Sequence, residues 1–272
     1  SMPRSATATS QSPQTSVTRS FATFRTVLAL VLREMGTRYG RSPGGYLWAV
    51  LEPLGAIAIM GLAFSLVVRA PSLGNSFILF YATGYLPFSL YTEISSTVAR
   101  SLKFSRALLF YPSVTWIDAV LARFILNSLT GLMVTYILLA GILLLNDTRV
   151  VLDLVSIFQA LSLAILLGLE VVVLNCLLTG FFPVWGRLWF IVTRPLFLSS
   201  GVFFVMEDLP AVAQDILWYH PLIHITGLMR VGFYPMYSPG YISAVYVITC
   251  TLVTLAMGLL LLQRHHKKIL ND

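Results

Sequence analysis

Six ionisable side chains stand inside or at the rim of long apolar runs: Glu52, Glu93, Asp118, Arg123, Glu170 and Arg194. Such a group at bilayer depth costs several kcal/mol unless it is paired or faces a water-filled space, so each poses a functional question. Glu52 lies a few residues into its run and is followed by Pro53, whose missing N–H frees a backbone carbonyl nearby. Glu170 falls near the middle of a later run, and Arg194 in the next run could be its partner. Structural ion pairing and contact with a substrate both remain open for that pair. Asp118 and Arg123 open another run, where Arg123 can snorkel to the interface. His220 and His224 have the i,i+4 spacing that on a helix could hold a metal ion. Only two ligands are visible, so no metal is expected and hydrogen bonding within a tight turn is preferred.

Aromatic residues gather at the ends of the apolar runs: Tyr39, Tyr46, Trp48, Tyr85, Tyr91, Trp116, Trp185, Trp189, Trp218 and Tyr219. An interfacial belt accounts for such placement. Flat aromatic faces also suit the apolar faces of sugar rings, and sequence does not divide the two groups. No G-x-x-x-x-G-K-[ST] phosphate loop, H-E-x-x-H or G-x-S-x-G motif occurs. The acidic residues are scattered through different runs rather than clustered as in an enzyme, and any ATP used must be bound by another chain. No inverted repeat relates the two halves, which argues against a secondary transporter. Cys176 and Cys250 lie far apart in apolar runs and read as small buried residues.

The elements that must position these groups are membrane helices. Hydrophobic residues make up 57% of the 272 and charged ones 11%, with mean hydropathy +0.82; a soluble domain carries about 25% charged residues. The chain reads as an all-α polytopic membrane protein. Six spans are expected over residues 46–68, 77–99, 114–145, 152–182, 187–206 and 241–263, against a need for roughly 20 apolar residues each. Arg4, Arg19, Arg25, Arg33, Arg38, Arg41, Arg100, Lys103, Arg106, Arg187, Arg264, Lys267 and Lys268 then fall on one side, while Arg69, Arg149 and Arg230 fall on the other. The positive-inside rule puts both termini in the cytoplasm. The formal charge of +7 is therefore a topology signal, and no nucleic-acid partner is expected.

Residues 1–20 are rich in Ser, Thr and Gln and read as a disordered cytosolic tail. A cleaved signal peptide is not expected, because the run VLALVL is short and meets Arg33-Glu34 at once. An amphipathic interface helix is expected over 21–38, with Phe21, Phe24, Leu28, Val31, Leu32 and Met35 on one face. After the fifth span, Pro210, Pro221, Pro235 and Pro239 cut a largely apolar stretch into pieces too short to cross. Two short re-entrant helices within 210–234 are predicted, which implies a surrounding cavity. RSLKFSRALLFYP (100–112) is either a basic loop or a docking knob whose Leu108, Leu109 and Phe110 meet a cytosolic partner.

The strings R-Y-x-R-S-x-x-G-Y-L-W-A-V-L-E-P-L (38–54), G-Y-L-P-F (84–88) and H-P-L-I-H-I-T-G-L-M-R-x-G-F (220–233) resemble the membrane subunit of type-2 ABC exporters, most nearly the capsular polysaccharide export permeases. The likeness covers about residues 21–268. Glu52 in place of Gln favours the capsule branch, while Pro43-Gly44 departs from the usual small apolar residues. The resemblance implies a homodimer bound to two copies of a cytosolic ABC ATPase, which would hold ATP and Mg; this chain would carry no cofactor. It implies a lipid-linked polysaccharide as cargo, with a periplasmic adaptor and an outer-membrane export protein beyond, in a bacterial inner membrane. O-antigen, teichoic acid or small lipophilic cargo is the nearer alternative; a stand-alone channel or lipid-modifying enzyme is the remote one. Segment 100–112 becomes a coupling helix, with Lys103, Phe104, Arg106, Leu108, Leu109 and Phe110 on the ATPase. Candidates for the substrate path or gate are Arg38, Arg41, Tyr46, Trp48, Glu52, Tyr85, Phe88, Glu93, Glu170, Arg194, His220, His224 and Arg230.

Overall fold

The computed structural model describes residues 24–33, 45, 47–97, 116–146 and 151–271, and all regular structure among them is helical. The expected tail (1–20), the coupling segment 100–112 with its six candidate residues, and Arg38, Arg41 and Tyr46 lie outside the described residues. The helices are α1 (24–33), α2 (Leu47–Val67), α3 (Phe77–Thr97), α4 (Trp116–Leu145), α5 (Leu154–Phe181), α6 (Trp185–Leu198), α7 (Ala211–Leu217), α8 (Pro221–Phe233) and α9 (Ala244–Asn271). A 3-10 turn, Met206–Asp208, precedes α7. Four helices are long and apolar enough to cross a membrane: α2, α4 from Leu121, α5, and α9 as far as His265.

The other two expected spans differ from that pattern for separate reasons. α3 is long enough, but it carries Thr83, Ser89, Thr92, Glu93, Ser95 and Ser96 and is largely buried in protein. α6 ends at Leu198, well short of residue 206. Pro195 removes a helical donor there, and the hydroxyls of Ser199 and Ser200 donate to the carbonyls of Pro195 (2.9 Å) and Phe197 (2.6 Å). Gly201 then takes φ +87, a left-handed turn that glycine adopts without strain. At the other end of the fold Gly45 has φ 50, and its carbonyl accepts from the Trp48 amide. Gly45 thus takes a turn conformation just before the first residue of α2.

α5 is the central helix, packed against α9, α3 and α8, and α3 packs in turn on α2, α4 and α8. Asp153 caps α5 by accepting from the Ser156 amide and hydroxyl, while its own amide donates to the Gly232 carbonyl at the end of α8. α1 lays Val27, Leu30 and Val31 on Ala122 and Leu126 of α4. Phe24, Leu28 and Leu32, which share the predicted apolar face, are exposed instead. Of the predicted apolar face only Val31 meets α4 among the described residues.

Candidate functional site

Three helical stripes converge on one cavity. Trp48 and Glu52 stand four residues apart on α2; Tyr85, Ser89 and Glu93 repeat the same spacing on α3; Asn127, Gly131 and Thr135 repeat it on α4. Residues at i and i+4 share a helix face, so each stripe looks one way. α2 and α3 run antiparallel, since Gly61 of α2 meets Ile78 of α3 while Glu52 and Glu93 share the opposite end. The stripes enclose about 640 Å³, with Pro53, Leu86, Leu90 and Val134 completing the wall.

The lining joins flat aromatic faces to acceptors. The Trp48 side chain is 47% exposed, and Tyr85 is half-buried. Two carboxylates, Glu52 and Glu93, enter the same space from facing helices, and no Lys or Arg lines it among the described residues. Asn127 is buried, its amide donating to the Arg123 carbonyl at 2.8 Å, and the Thr135 hydroxyl donates to the Gly131 carbonyl at 2.8 Å. Both donors are thus occupied by their own helix. The cavity presents stacking faces with hydrogen-bond acceptors, a combination suited to a hydroxyl-bearing ring.

Ser89, Asn127, Thr130 and Thr135 were not singled out from the sequence. Their helical spacing with Glu93 and Gly131 in otherwise apolar segments is the signal that reveals them.

The family model for ABC-2 type transporters matches residues 25–234. The chain belongs to the ABC-2 type transporter family. Two curated relatives of this ABC-2 chain are 29% identical to it: the polysialic acid transport protein KpsM of Escherichia coli, over 91% of the chain and 96% of the relative, and the capsule polysaccharide export inner-membrane protein BexB of Haemophilus influenzae, over 90% and 92%. The capsule polysaccharide export inner-membrane protein CtrC of Neisseria meningitidis serogroup B is 26% identical over 94% of the chain and 97% of the relative. Family membership and the four apolar helices together make the chain a multi-pass membrane protein.

The remaining candidates of this ABC-2 chain lie apart from the cavity. Phe88 turns from it to Phe197 of α6, ring centroids 4.7 Å apart. Glu170 is buried in α5, whereas Arg194 is exposed on α6 with its guanidinium 5.4 Å from the Phe190 ring. The two form no ion pair, because one points into the core and the other away from it. His220 caps α8: its Nδ1 accepts from the Leu222 amide, and its Nε2 lies 3.1 Å from the Leu196 carbonyl. The His224 Nδ1 accepts from the Ser243 amide at 3.0 Å, which leaves Nε2 to donate to the Trp218 carbonyl at 2.6 Å. Both of its ring nitrogens are therefore engaged by backbone, and burial lowers the proton affinity of both histidines.

Arg230 is fully buried on α8, away from the cavity. Nη1 donates to the carbonyls of Gly201 and Phe204, and Nη2 donates to Val202 (2.7 Å) and Phe80 (3.2 Å). The guanidinium lies 3.9 Å over the Phe80 ring. Carbonyls freed where α6 breaks thus receive guanidinium donors in place of helical ones.

Proposed function

We propose that this chain is the membrane subunit of an ATP-driven exporter that moves a lipid-linked capsular polysaccharide across the bacterial inner membrane. The observation that carries this reading is similarity over nine-tenths of the chain to inner-membrane capsule export and polysialic acid transport proteins. The cavity supports it chemically, since Trp48 and Tyr85 offer sugar-stacking faces while Glu52 and Glu93 accept hydroxyl protons. In this reading α3 and the α6 segment complete a six-span protomer with both termini in the cytoplasm. α7 and α8 re-enter the outer leaflet from the periplasmic side, and two protomers pair. Glu52 near the start of α2 and Glu93 near the end of α3 then put the carboxylate end of the cavity in the cytoplasmic half of the membrane, where a lipid-linked polymer arrives.

ATP and Mg belong to two copies of a separate ATPase. Segment 100–112 follows α3 directly and seats in that ATPase, so closure of the nucleotide-binding subunits displaces α3 and the cavity wall. The polymer passes onward to a periplasmic adaptor and an outer-membrane export protein. The deciding experiment is purification of the chain with a phosphate-loop ATPase, followed by reconstitution with lipid-linked polysaccharide. ATPase activity and polymer movement that both require this chain are expected. Transport by the chain alone, without any ATPase, overturns the reading.

A further inference from the structure

Arg230 gathers three parts of the chain that are distant in sequence. Its acceptors are the Phe80 carbonyl on α3 and the Gly201, Val202 and Phe204 carbonyls in the break after α6, while its own backbone belongs to α8. α8 is tied to the same break once more, through the Thr226 hydroxyl to the Ser200 carbonyl (3.0 Å), and to the last turn of α6 through His220 and the Leu196 carbonyl. α3 touches the break at Gly84, where an added Cβ would lie 2.9 Å from Val202 Cα and 2.7 Å from the Arg230 Nη2. Among the described residues no carboxylate pairs with Arg230, and its charge is met by carbonyl dipoles and one aromatic face.

We propose that Arg230 is a positioning residue that makes α3, the break after α6 and α8 move as one body, with α3 as the rod that moves it. This rests on the exporter reading above. From Phe80 to Thr97 the helix spans about 25 Å at 1.5 Å per residue, and its far end runs into segment 100–112. Pro87 interrupts the helical hydrogen bonding on the way, but buried Leu86 and Leu90 hold the helix on its neighbours there, so a push received at one end reaches the Arg230 cluster at the other. Between the two lie Tyr85, Ser89 and Glu93 of the cavity. The rod therefore shifts the cavity wall, the α8 cap and the last turn of α6 together, and relative motion is left to α2 and the earlier, exposed turns of α6.

Cross-linking tests this in the complete complex. Tyr81 of α3 and Phe203 of the break have ring centroids 5.8 Å apart. Tyr81→Cys with Phe203→Cys, in a chain with Cys176→Ala and Cys250→Ser, is joined by a short bifunctional thiol reagent. Linked complex is expected to export polymer within twofold of the same complex before linking, because the joined parts do not move apart. A tenfold loss on linking overturns the proposal.

Arg230→Lys supplies the second arm, keeping the charge while losing the fork that serves four carbonyls. ATP hydrolysis by the assembled complex is expected to stay within twofold and export to fall at least tenfold. Hydrolysis and export falling together, in proportion to folded complex, reduce Arg230 to a structural residue. The exporter reading is judged separately on the wild-type complex, whereas the linked-to-unlinked ratio and the hydrolysis-to-export ratio read only the rod.

Discussion

Gly131 of α4 rests against Leu90 of α3 with no room for a Cβ between them, and both residues line the cavity. The cavity is therefore bounded by a helix contact that side chains cannot loosen. Gly131→Ala is expected to turn Leu90 off its rotamer and cost about 1 kcal/mol, the low end of overpacking in a filled site. Thermal unfolding in detergent measures it. Adding Leu90→Val removes the colliding methyl and is expected to restore part of the loss; strict additivity of the two changes would show that the contact is not the cause.

Glu52→Gln keeps the shape of the cavity rim and removes one carboxylate. If that group accepts from cargo hydroxyls, export falls about tenfold, which corresponds to roughly 1.4 kcal/mol. Trp48→Ala and Tyr85→Ala are expected to lower export several-fold as well. Membrane insertion and ATPase binding remain at wild-type levels in all three variants. Unchanged capsule output from Glu52→Gln would reduce Glu52 to a structural residue.

Leu108, Leu109 and Phe110 are expected to hold the ATPase. Replacing all three with Ser uncouples export while leaving the chain in the membrane, as measured by capsule output and ATPase co-purification. Full export with normal ATPase association removes segment 100–112 from the coupling role.

Trp185 donates its indole N–H to the Asn175 amide oxygen at 3.0 Å, across the turn between α5 and α6. Trp185→Phe is expected to cost about 1 kcal/mol, the usual net value of a hydrogen bond, with a similar scale for polar contacts between membrane helices. Because α6 has no buried residue, its loosening should appear as faster proteolysis of the 182–198 region before any change in global unfolding.

His220 and His224 give a pH dependence with a definite sign. Burial lowers both proton affinities below the ordinary histidine value of about 6.5. The unfolded chain then binds more protons than the folded one at acid pH. Stability is whole above about pH 6.5 and declines as pH falls below it. Melting curves at pH 7.5 and pH 5.5 should differ in the wild type, and the difference should shrink in His224→Gln. An equal shift in both proteins would assign the effect elsewhere.

The cavity was partly legible in the sequence. Glu52 and Glu93 were marked by the cost of charge at depth, and Trp48 and Tyr85 by aromatic placement. Ser89, Asn127, Thr130 and Thr135 were missed because single hydroxyls and amides in an apolar run are cheap and common. Only the three- and four-residue spacing along each helix joins them into a wall. The long apolar helices followed from hydropathy. The early end of α6 did not, since Pro195, Ser199, Ser200 and Gly201 break a segment whose composition still reads as a span. Arg230 was visible as a cation, but its partners are backbone carbonyls from two distant places, which leave no side-chain pattern to read.

The Arg230 cradle also bears on how the protein is made. A guanidinium cannot settle into hydrocarbon alone at small cost, so α8 has no stable position until its acceptors stand in place. Phe80, Gly201, Val202 and Phe204 all precede Arg230 in the chain. A polypeptide made from its N-terminus has all four acceptors synthesised before the arginine that needs them. The order of synthesis is thus the order in which this part of the molecule can assemble.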